Sequence, residues 1–99
     1  MASFTVFLGM AGRHILRHMR RLNNWSYRNV TDFLKENSFS FSEELPGSHE
    51  RWIKRGANGA PDRRVEVNFT HSEYPVKTLK TMIRQSGIHQ KEWIKWGGS

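Results

Sequence analysis

The sequence predicts an α+β domain: a helix, three antiparallel strands and a second helix, with both helices on one face of the sheet. Three observations predict it. Two segments carry apolar residues at helical spacing, Tyr27, Val30, Phe33 and Leu34 in one and Val76, Leu79, Met82 and Ile83 in the other. Between them lie short segments of strand character, two of which alternate apolar and polar residues. The links between these segments are too short for parallel crossovers, so neighbouring strands run antiparallel. Two amphipathic helices then need one shared apolar surface, which leaves the other face of the sheet open.

Each element has its own local cause. Trp25 to Asn37 reads as the first helix, with the Ser26 hydroxyl as cap and Trp25 and Val30 placed as a hydrophobic staple. Asn37 is expected to end it in the left-handed conformation. Ser38 to Glu44 reads as the first strand, Phe39 and Phe41 alternating with serines. Pro46-Gly47 turns the chain into a second strand, His49 to Lys54, with Trp52 and Ile53 on opposite faces. Gly56, Asn58, Gly59 and Pro61 make a turn-rich loop. Arg64 to Phe69 alternates again, with Val65, Val67 and Phe69 on one face. Pro75 suits the first position of the next helix, and Gly87 suits the residue just past its end. Ile88 is expected to pack back on Ile83, as in a Schellman cap. His89 to Trp96 has the composition of a short third helix covering the core edge, with His89 at its start. The domain spans residues 25–96, and 97–99 read as a flexible tail.

Residues 1–24 read as a basic extension. No Asp or Glu occurs before Asp32, while Arg13, Arg17, Arg20, Arg21 and Arg28 do. Ile15, Leu16, Met19 and Leu22 recur at helical spacing among these arginines. An added element, a flexible basic arm, a transit-like leader and sequence upstream of a true start at Met19 all fit this composition.

At 99 residues the chain is one domain with a modest core. Its net charge of +7 favours a polyanionic partner, since Lys and Arg displace counterions condensed on phosphates. A membrane surface or an acidic protein also suits that charge, but no apolar run is long enough to span a bilayer. The absence of cysteine excludes disulfides and thiolate zinc sites, and agrees with a reducing cytosol.

Several segments resemble the HicA toxin family, in the family's order and at its separations. They are Asp32-Phe33-Leu34-Lys35-Glu36-Asn37, Gly47-Ser48-His49, Arg63-Arg64-Val65-Glu66-Val67, and Pro75-Val76-Lys77-Thr78-Leu79 running on to Ile83-Arg84-Gln85-Ser86-Gly87-Ile88. The resemblance covers about Ser26 to Ile88. It implies a double-stranded-RNA-binding-like αβββα fold and a toxin that cleaves messenger RNA in the cytoplasm until a HicB-like antitoxin neutralises it. It also places the catalytic histidine at His49. Three departures stand out: Ser38 where the family has glycine, a longer loop from Arg55 to Asp62, and Glu50 directly after His49.

The residues suit that chemistry. RNA cleaves itself when its 2′-OH is deprotonated and aimed at the adjacent phosphorus, and a histidine ordinarily titrates in the right range to take or give the proton. No metal or other cofactor is required. DNA lacks the 2′-OH, which explains RNA selectivity. Gly47 allows close backbone approach, and Ser48 is placed to donate to phosphate. Lys54, Arg55, Arg63 and Arg64 are expected to position the strand, with Lys77, Lys80 and Arg84 as a ridge on the second helix. His71 is either a second acid/base group or an exposed loop histidine. His14 and His18 lie four apart but lack a third ligand, so they read as a basic face. Trp52 is the best exposed stacking candidate, whereas Phe33, Phe41 and Phe69 read as core. A non-catalytic RNA-binding module and a decayed toxin are the competing readings.

Overall fold

A computed structural model of the chain describes residues 21–98. The element order is α1 (Tyr27–Glu36), β1 (Ser40–Leu45), β2 (His49–Lys54), β3 (Arg63–Asn68), α2 (Val76–Ser86) and α3 (Gln90–Gly98). The strands form one antiparallel sheet in the order β1-β2-β3. The expected α+β class and open three-stranded sheet are therefore present, with a third helix after the second. Most of the N-terminal extension, including His14 and His18, lies outside the described residues. The core nevertheless takes in Leu22, upstream of Trp25.

The first helix begins as its sequence dictates. Asn29 N–H donates to Ser26 Oγ, and Ser26 N–H donates back to Asn29 Oδ1, a closed capping box contributing about 1 kcal/mol. Its end differs from expectation. Asn37 has φ −109°, and the left-handed residue is Ser38 at φ 71°. The Asn37 amide instead donates to Phe33 O at 2.8 Å.

Strand alternation sorts the sheet into two faces. Glu50 and Trp52 pair across the ladder with Val67 and Val65, which are fully buried. Val30, Phe33 and Leu34 of α1 join this cluster, as do Leu79, Met82 and Ile83 of α2. Trp52 is only 4% exposed, with Lys35 Nζ 5.8 Å from its ring centroid, so it is a core residue and not a free stacking surface. Conversely Phe41 is 52% and Phe69 37% exposed. A bulge between Phe41 and Glu43 shifts the β1 register, and all but the last residue of β1 is exposed.

At the start of α2, Pro75 has ψ 146° and is the cap, so the helix begins one residue later at Val76, which stays exposed. Gly87 ends the helix with φ 75°. That backbone conformation favours glycine, and a Cβ there, 2.7 Å from Arg63 Nε, would push the Arg63 side chain aside. The Schellman pattern is replaced by a serine relay. Ile88 N–H donates to Ser86 Oγ, which donates to Ile83 O.

Lys91 N–H donates to His89 Nδ1, so His89 caps α3 as expected. That helix continues through Gly97 and Gly98, which the sequence reads as tail, and Gly97 is buried. Trp93 meets Phe33 with ring centroids 4.1 Å apart, and Trp96 stacks on Trp25 at 5.6 Å. Aromatic pairs of this kind contribute roughly 0.5–1.5 kcal/mol each beyond area burial. They explain why so short a terminal helix stays docked.

Candidate functional site on the open face of the sheet

The turn before β2 is tight because Gly47 and Ser48 both have left-handed backbones, φ 81° and 64°. Serine rarely adopts this conformation, so the neighbouring ladder must hold it there. The ladder does so directly, since Phe69 N–H donates to Ser48 O at 3.0 Å. His49 comes next, opposite Asn68 on β3. A hydrogen-bonded pair at 48 and 69 makes His49 and Asn68 the closer, non-bonded kind of pair.

Alternation puts His49, Arg51, Arg64, Glu66 and Asn68 on the face opposite Trp52 and Val65. His49 is half-buried there, and its Nδ1 is buried without a hydrogen-bond partner. The ring contributes to an open cleft of about 260 Å³ lined also by Glu66 of β3 and by Lys77, Thr78, Thr81, Met82 and Gln85 of α2. Gln85 fixes the rim: its Oε1 accepts from Glu66 N–H, on the unpaired edge of β3, at 2.9 Å. Beside the cleft, Val76, Lys77, Lys80, Thr81 and Arg84 line a second groove of about 390 Å³. Lys77 belongs to both.

The remaining cations sit elsewhere. Lys54, Arg55 and Arg63 line a third groove, together with the 55–62 loop and the end of α2. That groove lies at the far end of β2, roughly 16 Å from His49 at about 3.3 Å per residue. Arg63 donates to Arg84 O and Gln85 O, capping the carbonyl end of α2. Arg55 pairs with Asp62 at 2.9 Å. The Gly56 N–H and then this guanidinium hold the Asp62 carboxyl below its usual range. Both arginines are thus engaged in holding structure. Arg64 is exposed on the open face, opposite Ile53.

His71 is exposed and does not line the cleft. It is nonetheless tied to the same corner: its Nδ1 lies 3.0 Å from Asn68 Oδ1, which also accepts from Thr70 N–H and Oγ1. Its ring stacks on Tyr74 at 5.7 Å. Asn68 therefore stands between the two histidines.

Glu50, the next residue after His49, turns away from the cleft. It accepts from Tyr27 Oη at 2.9 Å and from Trp52 Nε1 at 3.1 Å under α1. Burial, then the Glu50 hydrogen bond and charge, push the Tyr27 hydroxyl up to about 12. Burial likewise raises Tyr74, whose hydroxyl donates to Asn68 O.

Sequence reasoning missed Glu66, Thr78, Thr81 and Gln85. The α2 residues carry a signal in retrospect, since positions 78, 81, 82 and 85 make one helix face. Glu66 carries none without the β2–β3 register.

Among the described residues no three His, Cys, Asp or Glu side chains gather as a metal site, and no helix is long and apolar enough to cross a membrane. No family model matches the sequence, and no curated protein matches it.

Proposed function

We propose that this chain is a HicA-like toxin, a metal-independent endoribonuclease that cuts single-stranded or messenger RNA and is neutralised by a HicB-like antitoxin. The observation that carries this reading is His49: a histidine on the open sheet face, with a buried unpaired Nδ1, in one cleft with Lys77. Trp93 Nε1 in the core is likewise buried without a partner, so the weight rests on the shared cleft: a half-buried imidazole beside a lysine, open to solvent. The αβββα order supports the double-stranded-RNA-binding-like fold as the finer class.

In this reading the RNA backbone follows the Lys77, Lys80 and Arg84 groove and brings one phosphate over the cleft. His49 exchanges a proton with the 2′-oxygen or the leaving 5′-oxygen through Nε2, since Nδ1 faces the protein. Lys77 offsets charge gathering on the phosphoryl oxygens. Gly47, whose φ of 81° suits glycine, makes the tight turn that presents His49. Lys54, Arg55 and Arg63 are too far along the sheet to act on the same phosphate. An antitoxin that covers His49 and the groove would block RNA directly.

The test is cleavage of a labelled single-stranded RNA by purified protein in EDTA. Wild-type protein is expected to cut, and His49→Ala to cut on the order of 10²–10⁴-fold more slowly while still binding RNA. Wild-type protein that binds RNA without cutting it is a non-catalytic binding module or a decayed toxin instead.

A further inference from the structure

The cleft holds a carboxylate that the reading above does not use. Glu66 is exposed, shares the cleft with His49 and Lys77, and makes no ion pair among the described residues. Its direct cross-strand neighbour is Arg51, yet Arg51 pairs with Glu43 of β1 on its other side. Glu66 lies two residues from Asn68, the cross-strand partner of His49. Glu66 and His49 are therefore diagonal neighbours on one face, within reach of long side chains. The backbone of Glu66 is held against α2 by Gln85, which fixes where along the cleft this side chain starts.

A free carboxylate is costly in a groove that receives phosphates, because it repels them. Its cost is offset if it takes a proton. We propose that Glu66 is the general base of the reaction and His49 the general acid, an assignment that rests on the ribonuclease reading and deepens it. The 2′-OH gives its proton to the Glu66 carboxylate as the 2′-oxygen bonds to phosphorus. The bond from phosphorus to the 5′-oxygen breaks, and its electron pair takes the proton of the His49 imidazolium. The products are a 2′,3′-cyclic phosphate and a free 5′-hydroxyl. Glu66 ends protonated and His49 neutral, and exchange with water restores both.

The charged groups around Glu66 are His49 and Arg51 on β2, Arg64 on its own strand and Lys77 on α2, with Glu43 on β1 holding Arg51. This arrangement gives a bell-shaped dependence of rate on pH. The acid limb belongs to Glu66, whose ionised form is needed, and the alkaline limb to His49, whose protonated form is needed.

The deciding experiment is the pH–rate profile of RNA cleavage in EDTA by wild type, Glu66→Gln and Glu66→Asp, with RNA binding and circular dichroism measured on each. Glu66→Gln is expected to lose on the order of 10²-fold or more in rate and to lose the acid limb, while binding RNA at least as tightly. Glu66→Asp, which keeps the carboxylate, is expected to keep the acid limb at a lower rate. A Glu66→Gln protein that cuts as fast as wild type, or retains the acid limb, overturns the assignment and leaves His49 and the ribonuclease reading standing. A wild type that cuts no RNA overturns both.

Discussion

On β2, Glu50 and Trp52 turn under α1, whereas His49 and Arg51 turn to the open side. The residues alternate on one six-residue strand, yet their surroundings are opposite. On the covered face one carboxylate oxygen of Glu50 accepts from both Tyr27 and Trp52, Trp93 Nε1 is buried without a partner, and the rest is mostly apolar contact. On the open face His49 Nδ1 has no partner and Glu66 has no counter-ion among the described residues. One face buries the apolar core and holds the fold, and the other leaves His49 and Glu66 at an open cleft.

That comparison breaks first if the covered face is not the source of stability. Phe33→Ala removes the ring lying against Trp25, Trp93 and Trp96. It is expected to cost about 3–5 kcal/mol in urea unfolding and to release α3 from the core. Glu50→Ala leaves the Tyr27 hydroxyl and Trp52 indole without their acceptor, at about 1–3 kcal/mol, and should leave the rate of RNA cleavage per folded molecule unchanged. Gly87→Ala is expected to cost about 1–2 kcal/mol, since φ 75° disfavours alanine and its Cβ would displace Arg63 from the end of α2.

Proton linkage sharpens the same contrast. The Tyr27 hydroxyl is raised from 10.0 to about 12, so its contribution is fully present below the ordinary tyrosine value and is lost as pH rises through about 12. Tyr74, the other tyrosine of the chain, is raised too. Tyrosinate absorbance should stay low in the folded protein above pH 10.0 and rise steeply only as the protein unfolds. In Glu50→Gln, Tyr27 should ionise at lower pH. The smallest expected effect is at the helix end: Ser38→Gly should stabilise by about 0.5 kcal/mol, relief of the left-handed strain at φ 71° outweighing the entropy that glycine loses.

The fold was largely legible because its signals are local. Helical spacing, the Ser26 cap, the Pro46-Gly47 turn and Gly87 each act within a few residues, and the boundaries of β2 follow from the turn alone. What the sequence misplaced depends on distant partners. Trp52 reads as exposed because its strand is polar around it, yet it is buried, with Lys35 over its ring; Phe41 and Phe69 read as core, yet both are exposed, Phe41 meeting Trp52 edge-on at the border of the core. Ser38 rather than Asn37 turns left-handed, a choice set by where the chain must enter β1. At the site, His49 was singled out by the turn before it together with the family resemblance, and Lys77 by the helix ridge. Glu66 was not, because only the β2–β3 register brings it to His49. Arg55 and Arg63 read as phosphate contacts, but the loop and the end of α2 hold them.

The two neighbours on β2 separate chemistry from stability in a single measurement. Metal-free RNA cleavage should be measured for His49→Ala and Glu50→Ala, each rate corrected for the folded fraction. His49→Ala is expected to lose on the order of 10²-fold or more, and Glu50→Ala nothing. Equal rates for the two variants, or a loss confined to Glu50→Ala, would contradict the role given to His49.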